Sequence, residues 1–262
     1  MTDQAPSEEP SEVEDSADES EFTQDDAVRG ILKGAGVVYA GLILNMGIAF
    51  VAQRFAAVHL SIGGFGSLLS GTALLDVGAV IAGLGLASGL TRYLPRVEES
   101  RKRSLVKFAF LFAVPFSLVV AVPTVVFADA IATRVFDDPE IAISLRIFGA
   151  TIPFAAILNL SIGGIRGQMV SRFRVYIKDI LHPSVRFGLI MISVVVGADQ
   201  AGFAAGYAIP YAVGAVVAVG LLWRALPAGG GLQAGKRVLP EMVRYSLPFT
   251  VTGLAGFVYR SI

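Results

Sequence analysis

Ionisable side chains are scarce inside the long apolar stretches of this chain, so the few that occur there are the first candidates for chemistry. Asp76 is the only charge between Leu60 and Thr91. A charge in hydrocarbon is costly and is usually kept for a function or a partner. A carboxylate there can bind a cation, carry a proton or pair with an Arg; a hydrogen bond to a neighbouring helix is the structural alternative. Arg54, Arg92, Arg146, Arg166 and Arg260 stand at or near the ends of apolar runs. Arg residues so placed ordinarily reach to the interface with their heads, or fix topology, and that reading suits Arg92, Arg146 and Arg166. Asn45, Gln53 and Asn159 are polar residues within apolar helices. Hydrogen bonding between helices is their ordinary role; contact with a sugar is the sharper one.

Signals for catalysis, cofactors and metals are missing. The chain has no His-Glu-x-x-His, no paired acids within one apolar run and no Gly-x-Ser-x-Gly. Cys is absent, which excludes disulfides and thiolate metal sites, and the two His, His59 and His182, are far apart in sequence. Gly-rich runs sit inside apolar helices rather than between a strand and a helix, so no phosphate loop is supported. No catalytic residue, cofactor or metal is expected, and the chain reads as a non-enzyme.

The elements that must position these residues are apolar helices. Hydrophobic residues make up 54% of the chain and charged residues 16%, against about 25% charged in a soluble domain. Six uncharged runs occupy residues 34–53, 60–75 with 77–91, 108–128, 147–165, 187–198 and 200–223. Most approach the roughly 20 residues that cross about 30 Å of hydrocarbon as helix. The second run is read as one long span to about Thr91, entered by a Gly-rich turn at 60–66. Gly85-xxx-Gly89 gives it a small face for close packing. Pro115 and Pro123 lie in the third span, Pro153 in the fourth and Pro210 in the sixth. The fifth run is the shortest, so its helix is expected to begin near Ile180 with Pro183 in the first turn.

Connections between the runs alternate in charge. Residues 92–107 carry six Lys/Arg and two Glu, 129–146 four acids and two Arg, and 166–186 five Lys/Arg against Asp179. Asp199 is the only charge in the next connection, and 224–244 carries four Lys/Arg and Glu241. Basic loops stay in the cytoplasm, so a multi-pass protein with a cytoplasmic N-terminus is expected, and the basic loops require no nucleic acid. Residues 1–29 hold eleven of the 21 acids and a single base, Arg29. With almost no apolar residues, the tail 1–28 is expected to be disordered. It resembles neither a signal peptide nor a transit peptide. A six-span lobe would occupy 29–224 and a cytoplasmic linker 225–244. A seventh run, 245–259, is too short to cross as it stands.

Lys33-Gly34-Ala35-Gly36 opens the first span and Arg244-Tyr245-Ser246-Leu247-Pro248 the seventh, each with Gly-Leu about ten residues on. Ala52-Gln53-Arg54-Phe55 closes the first span. The second closes with Gly83-Leu84-Gly85-Leu86-Ala87-Ser88-Gly89-Leu90-Thr91-Arg92-Tyr93-Leu94-Pro95, and the chain ends Phe257-Val258-Tyr259-Arg260-Ser261-Ile262. In these segments residues 29–262 resemble the polysaccharide biosynthesis and transport proteins, the Wzx-type oligosaccharide flippases. These belong to a superfamily with the MATE drug exporters and the lipid II flippases.

The resemblance implies an all-α membrane protein. It would comprise the N-terminal six-helix lobe of a MATE-like two-lobe transporter plus an incomplete seventh helix, so the chain is expected to continue with further spans. It also implies alternating access, a cell-membrane location, a lipid-linked sugar as substrate, membrane lipid around it and glycan-assembly enzymes as partners. A diphosphate-linked sugar needs a cationic binder, and Arg offers bidentate contacts to phosphate. Arg54 and Arg260 become the candidates for the phosphate. Asp76, Asn45 and Asn159 complete the candidate substrate-binding set. An ion-coupled MATE-like exporter of small organic molecules is the alternative, and a membrane scaffold that transports nothing is a third reading.

Overall fold

The computed structural model describes residues 35–36, 39–168, 171–227 and 239–261, with side chains left aside at 171–172, 239 and 257–261. The acidic tail 1–28 and most of the linker 225–244 lie outside the described residues. The chain forms two compact units, Met1–Ile43 and Leu44–Ile262. Of the first, only 35–36 and 39–43, the opening of the first helix, are described; the packing below concerns the second.

The fold is all-α. Helix α1 is Tyr39–His59, α2 Ile62–Gly83, α3 Leu86–Tyr93, α4 Glu99–Val126, α5 Ala128–Val135 and α6 Ile141–Gly167. Then follow α7 Ser171–Arg174, a π-helical turn Val175–Leu181, α8 His182–Val195, α9 Gln200–Ala225 and α10 Leu239–Ser261. Helices α1, α2, α4, α6 and α9 are each long and apolar enough to cross a membrane. From Arg146 to Arg166, twenty residues of α6 span about 30 Å at 1.5 Å per residue, which matches the hydrocarbon thickness.

Several boundaries differ from those read in the sequence, each for a local reason. The Gly-rich turn shrinks to Leu60-Ser61, because the Ser61 hydroxyl accepts the Gly64 N–H at 3.0 Å and caps α2. Gly63, Gly64 and Gly66 therefore belong to the helix. The second span is not one helix to Thr91. It breaks after Gly83, where Leu84 (φ 47°) and Gly85 (φ 64°) are left-handed, and restarts as α3. Helix α4 begins at Glu99, taking in half of a basic connection. The helix α6 begins at Ile141, upstream of Arg146. The fifth apolar run yields a 14-residue α8 with Pro183 in its first turn, lengthened upstream by the π turn that carries Lys178 and Asp179. Helix α10 opens at Leu239, six residues before the apolar run, and is 23 residues long.

Helix α6 is the centre of the lobe, packed against α2, α3, α4 and α9. Ser161–Ile165 are all buried, so over that stretch every face of the helix is covered. Between helices in lipid the hydrophobic effect gives little, and close packing of small residues matters more. Gly78 of α2 shows it: a Cβ there would lie 2.7 Å from Cδ1 of Ile152. Phe148 is fully buried against Gly71. At the end of the lobe away from Arg166, the Gln200 amide donates to the Ser67 and Ser144 hydroxyls and to the Glu140 carbonyl. It ties α2, α6 and α9 together through paired buried polar groups. Asp199, the lone charge of its connection, caps α9 by accepting the Gly202 N–H at 3.1 Å.

The α2–α3 break receives α10. A Cβ on Gly85 would collide with the Ser246 carbonyl, and one on Gly89 with Ser246 and Met242. Gly85-xxx-Gly89 is thus the seat for the seventh helix. Gly85→Ala should lower the thermal midpoint in detergent, since a left-handed non-Gly residue costs about 1–2 kcal/mol before the collision is counted. Gly83→Ala meets open space and should leave it unchanged. Equal midpoints for the two variants would contradict this seat.

Candidate functional site

A cavity of about 240 Å³ opens where the α2–α3 break, the second half of α6, the α7–π segment and α10 converge. Each wall has a sequence cause. The left-handed break at Leu84-Gly85 turns the α3 backbone aside, so Gly83, Gly85, Ser88 and Thr91 line one side. Gly163 of α6 meets the Ala87 backbone directly, and the Thr91 hydroxyl donates to the carbonyls of Ala87 (2.9 Å) and Gly163 (3.1 Å). This close approach brings Asn159 and Arg166 of α6 to the second wall. Arg174 and Lys178, around the start of the π turn, form the third, and Thr250 and Gly253 of α10 the fourth. π turns recur at functional sites because the extra residue re-aims side chains.

Three cations, one amide and several hydroxyls therefore share one concave space, and among the described residues its lining contains no acid. The Thr250 hydroxyl is buried and has no hydrogen-bond partner among the described residues, which leaves a donor or acceptor for a ligand. Such a lining suits an anion that also carries hydroxyl groups. Guanidinium and ammonium bind phosphate by charge-assisted hydrogen bonds, and an amide with hydroxyls matches a sugar.

An aromatic clasp holds α10 in place beside this cavity. The Arg92 guanidinium lies 4.1 Å from the Tyr245 ring centre. Tyr93 meets Tyr245 edge-on at 5.7 Å, and the Tyr93 hydroxyl donates to Glu241 at 3.2 Å. A hydrogen bond to Tyr245 raises the Arg92 pKa, and partial burial with the Glu241 carboxylate raises that of Tyr93. The interface reading of Arg92 thus gains a packing role.

Of the five candidates read in the sequence, Asn159 lines the cavity. Asp76 is exposed on α2, one turn before the lining residues Ala79 and Val80. It stands within Coulombic range of Lys178 and Tyr211. Arg54 is exposed and Asn45 half-buried on α1, and neither lines the cavity. Arg260 belongs to α10, and its side chain lies outside the described residues. Arg166, read as an interface residue, and Arg174 and Lys178, not singled out at all, are the cations the fold brings together. The spacing of the last two carries a signal: basic residues recur every fourth position from 174 to 186, as they would on one face of a helix.

No curated protein and no solved structure matches the chain. The family model described as polysaccharide biosynthesis protein matches residues 31–262, nearly all of the sequence outside the acidic tail. By that match the chain, with its five apolar helices long enough to cross a membrane, belongs to the polysaccharide biosynthesis protein family.

Proposed function

We propose that the chain acts in moving a lipid-linked oligosaccharide or polysaccharide precursor across the cell membrane by alternating access, without catalysing a covalent step. The observation that carries this reading is the convergence of Arg166, Arg174 and Lys178 with Asn159 and the Thr250 hydroxyl in one cavity. The cations would hold the phosphate head, Asn159 and Thr250 the first sugar, and the lipid tail would stay in the bilayer. An exporter of organic cations would need carboxylates in that space, and the described lining offers none. Asp76, near Lys178 but outside the lining, would balance the cations when the cavity is empty. Arg54, Asn45 and Arg260 would add contacts from helices that open the two halves. Glycan-assembly enzymes would deliver the substrate to the cytoplasmic face.

Proteoliposomes holding the protein and a polyprenyl-diphosphate-linked oligosaccharide test this. Lectin added outside should capture glycan that starts in the inner leaflet faster than in protein-free vesicles. Capture at the protein-free rate, with the protein folded and in the membrane, would overturn the proposal. Within the same assay, Arg54→Glu and Arg260→Glu should each slow transfer; normal transfer would remove these two from the substrate contacts.

Orientation has its own test. With basic connections in the cytoplasm, the cavity end of the lobe faces inward. A Cys placed at Glu98 or Arg103 should react with an impermeant maleimide only after the cytoplasmic side is opened, and one at Asp138 from outside. The opposite pattern would reverse the assignment.

A further inference from the structure

The stripe of basic residues does not stop at the cavity. Arg174, Lys178, His182 and Arg186 recur every fourth residue through α7, the π turn and α8, each step rising about 6 Å along the axis. Lys178 lines the cavity; the next two residues lead away from it, between α8 and α9. The His182 ring meets Tyr211 edge-on with centroids 4.6 Å apart. The Arg186 guanidinium lies 5.3 Å from the ring centre of Tyr207, one turn earlier on α9. Nε2 of His182 and Nε of Arg186 are buried, and neither has a hydrogen-bond partner among the described residues.

A role in clamping α8 onto α9 would use the ring faces and leave both nitrogens bare. A buried polar atom without a partner is destabilising, and here two occur one turn apart on the same face. An acceptor from outside the chain, rich in oxygen and negatively charged, would complete both, with the His182 proton on Nε2. Asp76 and Asp179 are the carboxylates within Coulombic range of Lys178, and Asp76 also reaches Tyr211. Asp76 stands on α2 and Asp179 in the π turn.

We propose that His182 and Arg186, braced by Tyr211 and Tyr207, form a second anion subsite deeper in the lobe, which receives the phosphate head after the cavity cations release it. The subsite rests on the transport reading above and deepens it, dividing the passage of the diphosphate into two bound positions joined by Lys178.

The chain has only two His, so ¹⁵N-histidine labelling of the full chain in nanodiscs reports His182 with His59 as internal control. His59 is exposed on α1, where its Nδ1 lies 2.9 Å from the Phe55 carbonyl. Sodium pyrophosphate should shift the His182 Nε2 resonance saturably and leave His59 in place. Arg186→Gln should weaken that response by about tenfold, as expected for one charge-assisted contact. Total pyrophosphate bound, measured by equilibrium dialysis, should persist through the cavity. Pyrophosphate bound in dialysis with an unmoved His182 would overturn the subsite and leave the cavity reading standing. Equal shifts at His59 and His182 would also overturn it, as general ionic screening. No pyrophosphate bound by the folded protein would overturn both. Should Arg186→Gln fail to fold, the wild-type titration decides by itself.

Discussion

Charge reversal at Arg166 or Lys178 should stop transfer of a diphosphate-linked glycan in the lectin-capture assay. Both side chains line the same cavity with Arg174 and no described acid. A hydrogen bond to a charged group contributes about 1.5–3 kcal/mol, so neutral Gln at either position should slow transfer roughly tenfold to a hundredfold. Glu adds repulsion with the phosphate and should be worse than Gln. Arg166→Lys keeps the charge but loses the bidentate fork, so it should fall between wild type and Gln. Arg146→Glu is the control. Arg146 pairs with Asp129 at 2.6 Å in an exposed ion pair at the other end of α6, and exposed pairs contribute only about 0–1 kcal/mol. That variant should fold and transfer nearly as wild type. Glu variants at 166 and 178 that transfer at the wild-type rate, at matched amounts in the membrane, would refute the cavity as the phosphate site.

Phe148→Ala should destabilise the lobe more than any surface change in the same helix. Phe148 is 0% exposed and fills the groove opened by Gly71 of α2, whereas Phe154, six residues on, is 43% exposed. Removing a buried Phe ring leaves a cavity and costs about 3–5 kcal/mol in soluble proteins. In a membrane the transfer part of that cost shrinks, because the unfolded helix also sits in lipid. The packing part remains, so a loss toward 3 kcal/mol is expected. Phe154→Ala exchanges one lipid-like surface for another and should change stability by less than about 0.5 kcal/mol. Unfolding in mixed micelles at rising SDS fraction reads both. Equal midpoints would mean that the α2–α6 contact does not hold the lobe together.

These expectations show which parts of the protein were legible in its residues. Apolar run length and charge content are local properties, and they were enough to read an all-α membrane protein and to locate most of its helices. Pro183 marked the first turn of α8, and Gly85-xxx-Gly89 marked a packing face, because both act through the backbone within a turn or two. Helix ends were less legible. Charges interrupt Glu99–Lys107 and Leu239–Arg244, which ends the uncharged runs there, yet both segments are helical; hydropathy reports burial in lipid, whereas a helix continues as long as its hydrogen bonds do. The break at Leu84-Gly85 was hidden for the converse reason. Leu is a poor marker of left-handed backbone, and the neighbours that pack on the break, α10 on Gly85 and Gly89 and α6 on Ala87, are remote in sequence.

The cavity belonged wholly to the tertiary structure. Its walls come from residues 79–91, 156–166, 174–178 and 249–253, brought together by Gly163 against Ala87 and by α10 against the break. In sequence, Arg166, Arg174 and Lys178 are three cations of a basic connection, and topology alone explains such a connection. Spacing places Arg174 and Lys178 near one helix face; it cannot say what that face meets. The sequence by itself determined that the chain is a bundle of apolar helices with its charges sorted by side. Which of those charges share a cavity was decided by long-range packing, because a site built from four separate segments exists only once the helices between them have docked.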